Sequence, residues 1–438
     1  YDLAVRRGPG ALHQLVANQV AKGLRAVGIP ALRDQPVEFL QQFRIDSYAD
    51  AAKFTHRTIL PGLERPGGAP ADGIIARMER RRFLGISLGA FAGRAAAEER
   101  NRQPGMAYRR LGRTGFLVSR VVMGGNHVNP DNLDHIRLAI DMGLNYLDTA
   151  PAYGRGLSER GCGAVIRSTG RDKVFLNSKV SLWDIHRNRL FADIFASLDA
   201  SEQKRLRAAA QDEIARRQVD APDYFVDYFN GQRKELEDAA LANVMERQYG
   251  RRIDRGKNYR QLILDSVDES LARLGTDYLD LLMCPHGAST PYELLNYPEI
   301  FEAFETLQRA GKVRYLGVSA HTDPAGILEA AVKAKVYSAA MVAYNFVNGA
   351  RVEKALAAAA RADLGVIAMK VARPATPRGS QPPPPERIAH LNQAVPGKAN
   401  PAQKAYTWAL RIPHLTACIA EMTRREHVEG DLPLAKDG

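Results

Sequence analysis

Cysteine is scarce in this sequence, and long apolar runs are missing. The three cysteines, Cys162, Cys284 and Cys418, are far apart and odd in number. That excludes a disulfide framework and a structural zinc site and reads as three packed core thiols. No metal site is expected. No apolar stretch is long enough to cross a bilayer, so no membrane span is expected. Zinc-finger spacing, an RNA-binding aromatic signature and a long basic run are also lacking. Nucleic acid is therefore not the expected partner, although the formal net charge is +12. A basic surface around a phosphate-bearing small molecule accounts for that charge. No Gly-x-Gly-x-x-Gly turn follows a first strand, which removes support for an open nucleotide-binding sheet.

What remains is ordinary globular material. The chain has 438 residues, of which 45% are hydrophobic and 25% charged, enough for a large domain with something added. Residues 1–77 hold one helix-like stretch, Ala11 to Val27, then polar Pro/Gly-rich sequence with no motif that carries chemistry; they form an extension of unknown role. From Met78 the order of features is that of a twin-arginine export signal: Arg80-Arg81, then Phe83-Leu84, an apolar stretch to Gly93, and Ala95-Ala96-Ala97 before Glu98. The plainer reading is a short amphipathic helix with a basic start. With 78–97 as a signal, Met78 is the expected biological start, 1–77 is upstream translation, and the destination is the periplasm. With 1–77 as a genuine extension masking the signal, the destination is the cytoplasm.

After Met106 short apolar runs alternate with helical stretches. Tyr108–Val118 reads as a small opening hairpin. Eight strand candidates follow: Arg120–Met123, Asn145–Thr149, Val174–Val180, Tyr278–Cys284, Val313–Ser319, Ala339–Tyr344, Gly365–Lys370 and Leu415–Ala420. Helix candidates fall between them at 131–142, 158–168, 260–274, 298–310, 324–334, 351–361 and 401–411, with a last short one near Arg424. Eight strand–helix alternations predict an α/β fold, a closed (β/α)8 TIM barrel over 106–438. Two loops break the rhythm. Residues 181–258 are charged and helix-prone, with aromatics at Tyr224, Phe225, Tyr228 and Phe229. Residues 372–400 contain four consecutive prolines, Pro382 to Pro385, and are expected to be extended or mobile. Both leave C-terminal strand ends, the face that carries the active site in such barrels. The 181–258 insertion is expected to act as a lid or substrate selector, or equally to be a helical hairpin packed on the rim or a partner surface.

Chemistry-bearing residues collect at that same face. Asp148 ends the second strand and leads to Tyr153 in Asp-Thr-Ala-Pro-Ala-Tyr-Gly; Lys179 ends the third strand; His286 ends the fourth. Alone, Asp148 is a strand-end cap, Tyr153 a loop aromatic, Lys179 a solvated charge and His286 a structural histidine. Together, at one end of three successive strands, they form an acid–base set. A phenol with a pKa of about 10 donates poorly near neutral pH. An ammonium beside it favours the phenolate, a carboxylate holds that ammonium, and a neutral imidazole can orient a carbonyl oxygen.

These segments resemble the aldo/keto reductase family over 106–430, interrupted by 181–258, and with the export-like segment they resemble a bacterial member bearing a twin-arginine signal. The resemblance implies NAD(P)H-dependent reduction of an aldehyde, ketone or sugar-like carbonyl. Tyr153 would be the general acid, Lys179 its modulator, Asp148 the partner of Lys179, and His286 the residue that orients the carbonyl. Ser319, in Gly317-Val318-Ser319, resembles the serine that holds the nicotinamide amide, but Ala320 stands where the family has Asn. Tyr344 resembles the aromatic that stacks on the nicotinamide, with Met341 in place of the usual Gln; Asn345 or His321 are then candidates for gripping the amide. Lys370, Thr423 and Arg424 complete the expected cofactor set after the last two strands. The family often has a basic residue near 421 and an Arg near 427, whereas this chain has Glu421 and His427. Either NADP or NAD is compatible, with NADP favoured by resemblance, and a monomer is the family prior. Two competing readings remain: a non-catalytic nicotinamide-binding partner module, and a barrel enzyme in which Lys179 forms a Schiff base.

Overall fold

The computed structural model describes residues 97–437. The extension 1–77 and all but the last residue of the 78–97 segment lie outside them. The described chain opens on three short strands, β1 (Glu98–Glu99), β2 (Tyr108–Arg110) and β3 (Phe116–Ser119), in which β3 pairs with both others. Next come β4 (Val121–Met123), β5 (Tyr146–Asp148), β6 (Phe175–Lys179), β7 (Leu279–His286), β8 (Val313–Ala320), β9 (Ala339–Ala343), β10 (Gly365–Met369) and β11 (Ala417–Ala420). These eight are parallel, pair in sequence order and close where β11 meets β4. The closed barrel expected from the alternation is what forms. Parallel strands covered on both faces must be apolar throughout, and nearly every position in them is buried.

Alternation along each strand fills the interior. Val122, Tyr146, Phe175, Leu281, Met283, Met341, Ile367 and Met369 point inward and make one core. The β2–β3 hairpin plugs its N-terminal end: Leu111, Phe116 and Val118 join that core, and Phe116 stacks on Phe175 at 4.2 Å. The turn into the plug requires glycine. Gly112 has φ +49, and a Cβ there would lie 2.1 Å from the Gly365 nitrogen.

An ion-pair network staples the plugged end. The side chain of Asp280 is fully buried and accepts from Arg171 at 2.8 Å, from Arg314 at 2.7 Å and from the Leu176 N–H at 2.9 Å, with Arg100 at 3.1 Å. Glu98 of β1 bridges Arg100 and Arg314. Strand β1, which the sequence pattern does not reveal, is thereby tied to β6, β7 and β8. Removing one partner of a buried pair leaves the others uncompensated. Asp280→Asn is therefore expected to destabilise the fold by about 3 kcal/mol, read as a lowered urea midpoint; a loss under about 1 kcal/mol would mean the network is no more than a surface pair.

The crossover helices are α1 (Asp134–Asp141) and α2 (Leu157–Thr169). The 181–258 insertion follows as α3 (Trp183–Ala196), α4 (Ala200–Arg217) and α5 (Gln232–Tyr249), with α5 packed on α3 and α4. Beyond it lie α6 (Leu262–Leu274), α7 (Pro291–Leu295), α8 (Pro298–Arg309), α9 (Pro324–Ala334), α10 (Gly349–Arg361), α11 (Pro385–Ala394), α12 (Pro401–Leu410) and α13 (Arg425–Asp431). The loop 372–400 is not extended or mobile throughout, as its prolines suggest. It contains α11, which begins at the fourth proline because a fixed φ and a missing N–H cost nothing at the first helical position. All three cysteines are buried free thiols. Among the described residues no helix is long and apolar enough to cross a membrane, and no group of His, Cys, Asp or Glu is arranged to hold a metal.

Candidate active site

The C-terminal strand ends build the site. Gly125, in the turn after β4, lets the backbone approach β5 closely; a Cβ there would sit 1.9 Å from the Asp148 carbonyl oxygen. Ser158 then bonds the Gly125 carbonyl and the Thr149 hydroxyl, each at 2.7 Å, pinning the segment that leaves Asp148. That segment tightens at once. Tyr153 begins a short 3-10 turn in which Gly154 and Arg155 have φ of 57 and 56, which returns the chain over the strand end.

Strand register brings the side chains together. Asp148 pairs with Asn177 across β5 and β6, and Lys179 follows two residues later on the same inward face. Lys179 Nζ, fully buried, donates to Asp148 Oδ1 at 2.5 Å and to the Thr149 carbonyl at 2.9 Å. It lies 4.5 Å from the centroid of the Tyr153 ring. His286 comes from β7 where the pairing with β8 shifts register after Met283, a displacement that re-aims a side chain. Its ring stands edge-on to Tyr153, 6.1 Å away. All four expected catalytic residues therefore meet at one mouth. Asn177 and Ser181 were not anticipated. Asn177 Nδ2 donates to Asp148 Oδ1 at 2.5 Å, and Ser181 Oγ lies 2.9 Å from His286 Nδ1. Asn177, two residues before Lys179, was legible as an inward position; Ser181 sits past the strand and carried no signal.

The electrostatics divide by charge type. Burial raises the Asp148 carboxyl, against the pull of Lys179 and Asn177. Lys179 is itself raised: burial opposes its charge, but Asp148 and Tyr153 outweigh burial, so it stays an ammonium. Burial raises the Tyr153 phenol above its ordinary value, and the Lys179 ammonium offsets only part of that rise. The expected lowering influence is present but does not win in this arrangement. His286 is pushed well down by burial and by the Lys179 and His321 charges, which leaves a neutral ring.

Residues 120–241 and 252–435 match the model of the aldo/keto reductase family. The chain belongs to that family. The aldo-keto reductase YhdN of Bacillus subtilis (strain 168) is 28% identical over 224 residues, 49% of this chain and 47% of that protein. The aldo-keto reductase AMT2 of Alternaria alternata is 27% identical over 227 residues, 49% of each. The chain thus spans about half the length of the curated relatives it matches. A solved aldo-keto reductase from Klebsiella pneumoniae, in complex with NADPH, is similar at 22% identity and a TM-score of 0.47, over 76% of this chain and 90% of that one.

Within this family member the expected cofactor residues fare unequally. Ser319, one residue before the end of β8, pairs with His286, and its buried hydroxyl has no hydrogen-bond partner. An orphaned buried hydroxyl costs free energy unless a ligand or water meets it, so Ser319 fits the role of holding an amide. Tyr344 does not fit a stacking role at the mouth. It lies one residue past inward-facing Ala343, and its ring packs on Trp408 at 5.3 Å, on the helix side of the barrel. Asn345 is already engaged: Nδ2 donates to the Tyr228 hydroxyl at 2.8 Å, and Oδ1 accepts from the Val347 N–H at 3.0 Å. Lys370 follows β10 directly with φ +58, and burial lowers its pKa. Thr423 contacts His427 at 3.3 Å. Arg424 is exposed and pairs with Glu426 at 3.3 Å. Glu421, where a basic residue is common in the family, pairs with His127.

The insertion reaches this same rim. Between α4 and α5, Tyr224 donates to Asp323 at 2.7 Å, Arg351 bonds Asp223 at 2.7 Å, and Arg378 bonds Asp227 at 2.8 Å. The aromatic loop is thus fastened to the segments that follow β8, β9 and β10.

Proposed function

We propose that this aldo/keto reductase family member reduces an aldehyde, ketone or sugar-like carbonyl with NADPH or NADH, using Tyr153 as general acid. The observation that carries this reading is the position of the Lys179 ammonium, held by Asp148 and the Thr149 carbonyl and 4.5 Å from the centroid of the Tyr153 ring. When bound, the nicotinamide supplies the hydride. Ser319 would hold its amide, and Lys370 would supply positive charge to its phosphates. As hydride reaches the carbonyl carbon, the Tyr153 O–H gives its proton to the developing alkoxide, and the remaining phenolate is stabilised by Lys179. The Ala152 N–H reaches the Ser181 oxygen. The Ser181 hydroxyl proton is then free to go to His286 Nδ1, which leaves an Nε2–H to orient the carbonyl oxygen.

The same contacts disfavour a Schiff base. An amine must lose its proton to attack a carbonyl, and Lys179 is held as an ammonium. We also propose that 78–97 directs export to the periplasm. Removal after Ala97 would leave Glu98 to begin β1 and keep its pairs with Arg100 and Arg314; amino-terminal sequencing of the secreted or periplasmic form checks this. The reductase reading is tested by carbonyl-dependent oxidation of NADPH and NADH by the full chain across aldehydes, ketones and sugars. Oxidation matched mole for mole by alcohol supports it. Tight nucleotide binding with no carbonyl reduced would transfer the case to the binding-module alternative.

A further inference from the structure

Proton transfer needs the Tyr153 phenol held at a fixed height over Lys179, yet the two residues come from different strand ends. Tyr153 also stands on unfavourable backbone. Gly154, Arg155 and Gly156 follow it with φ of 57, 56 and 88. A left-handed run that includes a residue with a Cβ persists only where its surroundings over-determine it. Two side chains pin the helix that the run leads into. Ser158 is the first, as described above. Glu159, in the first turn of α2 with a fully buried side chain, is the second. Its Oε1 accepts from Ser178 Oγ at 2.7 Å, and its Oε2 accepts from Arg273 Nε at 2.5 Å. Ser178 directly precedes Lys179 on β6 and, by alternation, faces the helix layer. One carboxylate therefore joins the turn that carries Tyr153 to the strand that carries Lys179.

Arg273 holds that carboxylate from the other side. It lies near the end of α6, the first helix after the insertion. Helix α6 can approach α2 because Gly163 has no side chain: a Cβ there would lie 2.4 Å from the Leu274 carbonyl oxygen. The guanidinium gives Nε to Glu159, while Nη1 and Nη2 each lie 3.3 Å from Glu269 Oε2 and Ser270 Oγ respectively. Its aliphatic stem packs on the Tyr153 turn itself; a Cβ on Gly156 would lie 2.8 Å from Arg273 Cδ. The same side chain thus touches the left-handed run with its stem and fixes Glu159 with its head. An exposed ion pair would add little here. In this one the carboxylate is fully buried and the arginine side chain only 20% exposed, so loss of either partner strands a desolvated group. Both residues belong to the helix layer outside the barrel wall, so their effect on the reaction runs through the turn and β6.

Resting on the reductase reading, we propose that Glu159 and Arg273 are positioning residues for proton transfer: their ion pair props the turn at 154–156 against β6 and so keeps the Tyr153 ring 4.5 Å from the Lys179 ammonium. Without the prop the turn relaxes, the phenol moves off the ammonium, and the phenolate loses the charge that stabilises it. Because both residues act through Tyr153, their removal costs nothing further once the phenol is gone.

The test uses the full chain with NADPH and 4-nitrobenzaldehyde, with single-turnover rates taken per NADPH-binding site so that unfolded protein is not counted. Glu159→Gln keeps an acceptor for Ser178 and removes the charge that Arg273 meets. Arg273→Met keeps the stem against Gly156 and removes the head. Each is expected to lower the rate by roughly 10–10²-fold, the usual result of displacing a reacting group by about 1 Å, with the steady-state KM and the Kd for NADPH changed less than about twofold. In alcohol oxidation the pH of half-maximal rate is expected to move upward, because the phenolate is no longer held beside the ammonium. Arg273→Lys, which restores a cation, is expected to recover part of the rate. In a Tyr153→Phe background each variant is expected to change the residual rate less than about twofold. Glu159→Gln and Arg273→Lys carry the test if Arg273→Met does not fold. An unchanged rate per site with an unchanged pH midpoint would overturn the proposal and leave the pair a prop of the fold alone. Equal losses with and without the Tyr153 hydroxyl, or a raised KM with the rate kept, would overturn it by placing the effect outside proton transfer. Failure of the unmodified chain to reduce 4-nitrobenzaldehyde, or any other carbonyl, would remove the reductase reading and this role with it.

Discussion

Tyr153→Phe is expected to lower kcat for carbonyl reduction by about 10²–10⁴-fold, the usual contribution of a positioned general acid, while nucleotide affinity and the melting temperature stay close to those of the parent. The expectation of an intact fold follows from the contacts. Lys179 keeps Asp148 and the Thr149 carbonyl as partners when the phenol is lost, and a Phe ring can hold the same edge-on position against His286. The loss should appear in single-turnover rates as well as in steady state, because it removes an interaction made during proton transfer. A kcat within about tenfold of the parent would show that another group or water protonates the alkoxide. The pH dependence adds a sign. Burial holds the phenol above its ordinary value despite Lys179, so the acid form needed for reduction persists through neutral and mildly alkaline pH. Alcohol oxidation needs the phenolate as base and should climb with pH over the same range. A reduction rate that already falls between pH 6 and 8 would contradict the assignment.

Much of this was legible in sequence because it rests on short-range pattern. Each of the eight apolar runs became a barrel strand, and the ends of three of them delivered Asp148, Lys179 and His286 to one rim. Tyr153 could be placed by its fixed distance from Asp148. Failures came where one residue of register or a distant partner decides. Tyr344 and Ala343 are adjacent, yet alternation sends one toward Trp408 and the other into the mouth, and a one-residue slip exchanges the two faces. Asn345 reads as a free amide in sequence but is engaged by Tyr228, more than a hundred residues earlier. Arg424 reads as a phosphate ligand, but it caps the short helix that follows and pairs with Glu426 in that helix's first turn. The helices of the insertion were visible in its composition. Its seat over the ends of β8, β9 and β10 depends on Asp323, Arg351 and Arg378, and no local pattern announces those pairs.

Lys179→Met should separate what the ammonium does for the fold from what it does for proton transfer. The side chains of Lys179 and Asp148 are both buried, so the substitution strands a carboxylate in a site built around a cation. Breaking a buried pair from one side typically costs about 3–5 kcal/mol. Asp148 is not wholly abandoned, since Asn177 still donates to it at 2.5 Å, and burial already raises its pKa. The protein can therefore relieve the cost by protonating Asp148, and the destabilisation should shrink as the pH falls. Catalysis should respond unevenly. Without the ammonium the Tyr153 phenol rises further, which hinders formation of the phenolate more than it hinders donation from the phenol. Alcohol oxidation should consequently fall more than carbonyl reduction, with both down by at least about 10². The double variant Asp148→Asn with Lys179→Met decides whether the pair acts as a unit. If it does, the double variant is more stable than Lys179→Met alone, giving a coupling energy above about 1 kcal/mol, yet it regains no activity, because its Tyr153 still lacks a cation. Additive stability losses together with a partial return of oxidation would mean that Asp148 acts on Tyr153 directly rather than through Lys179.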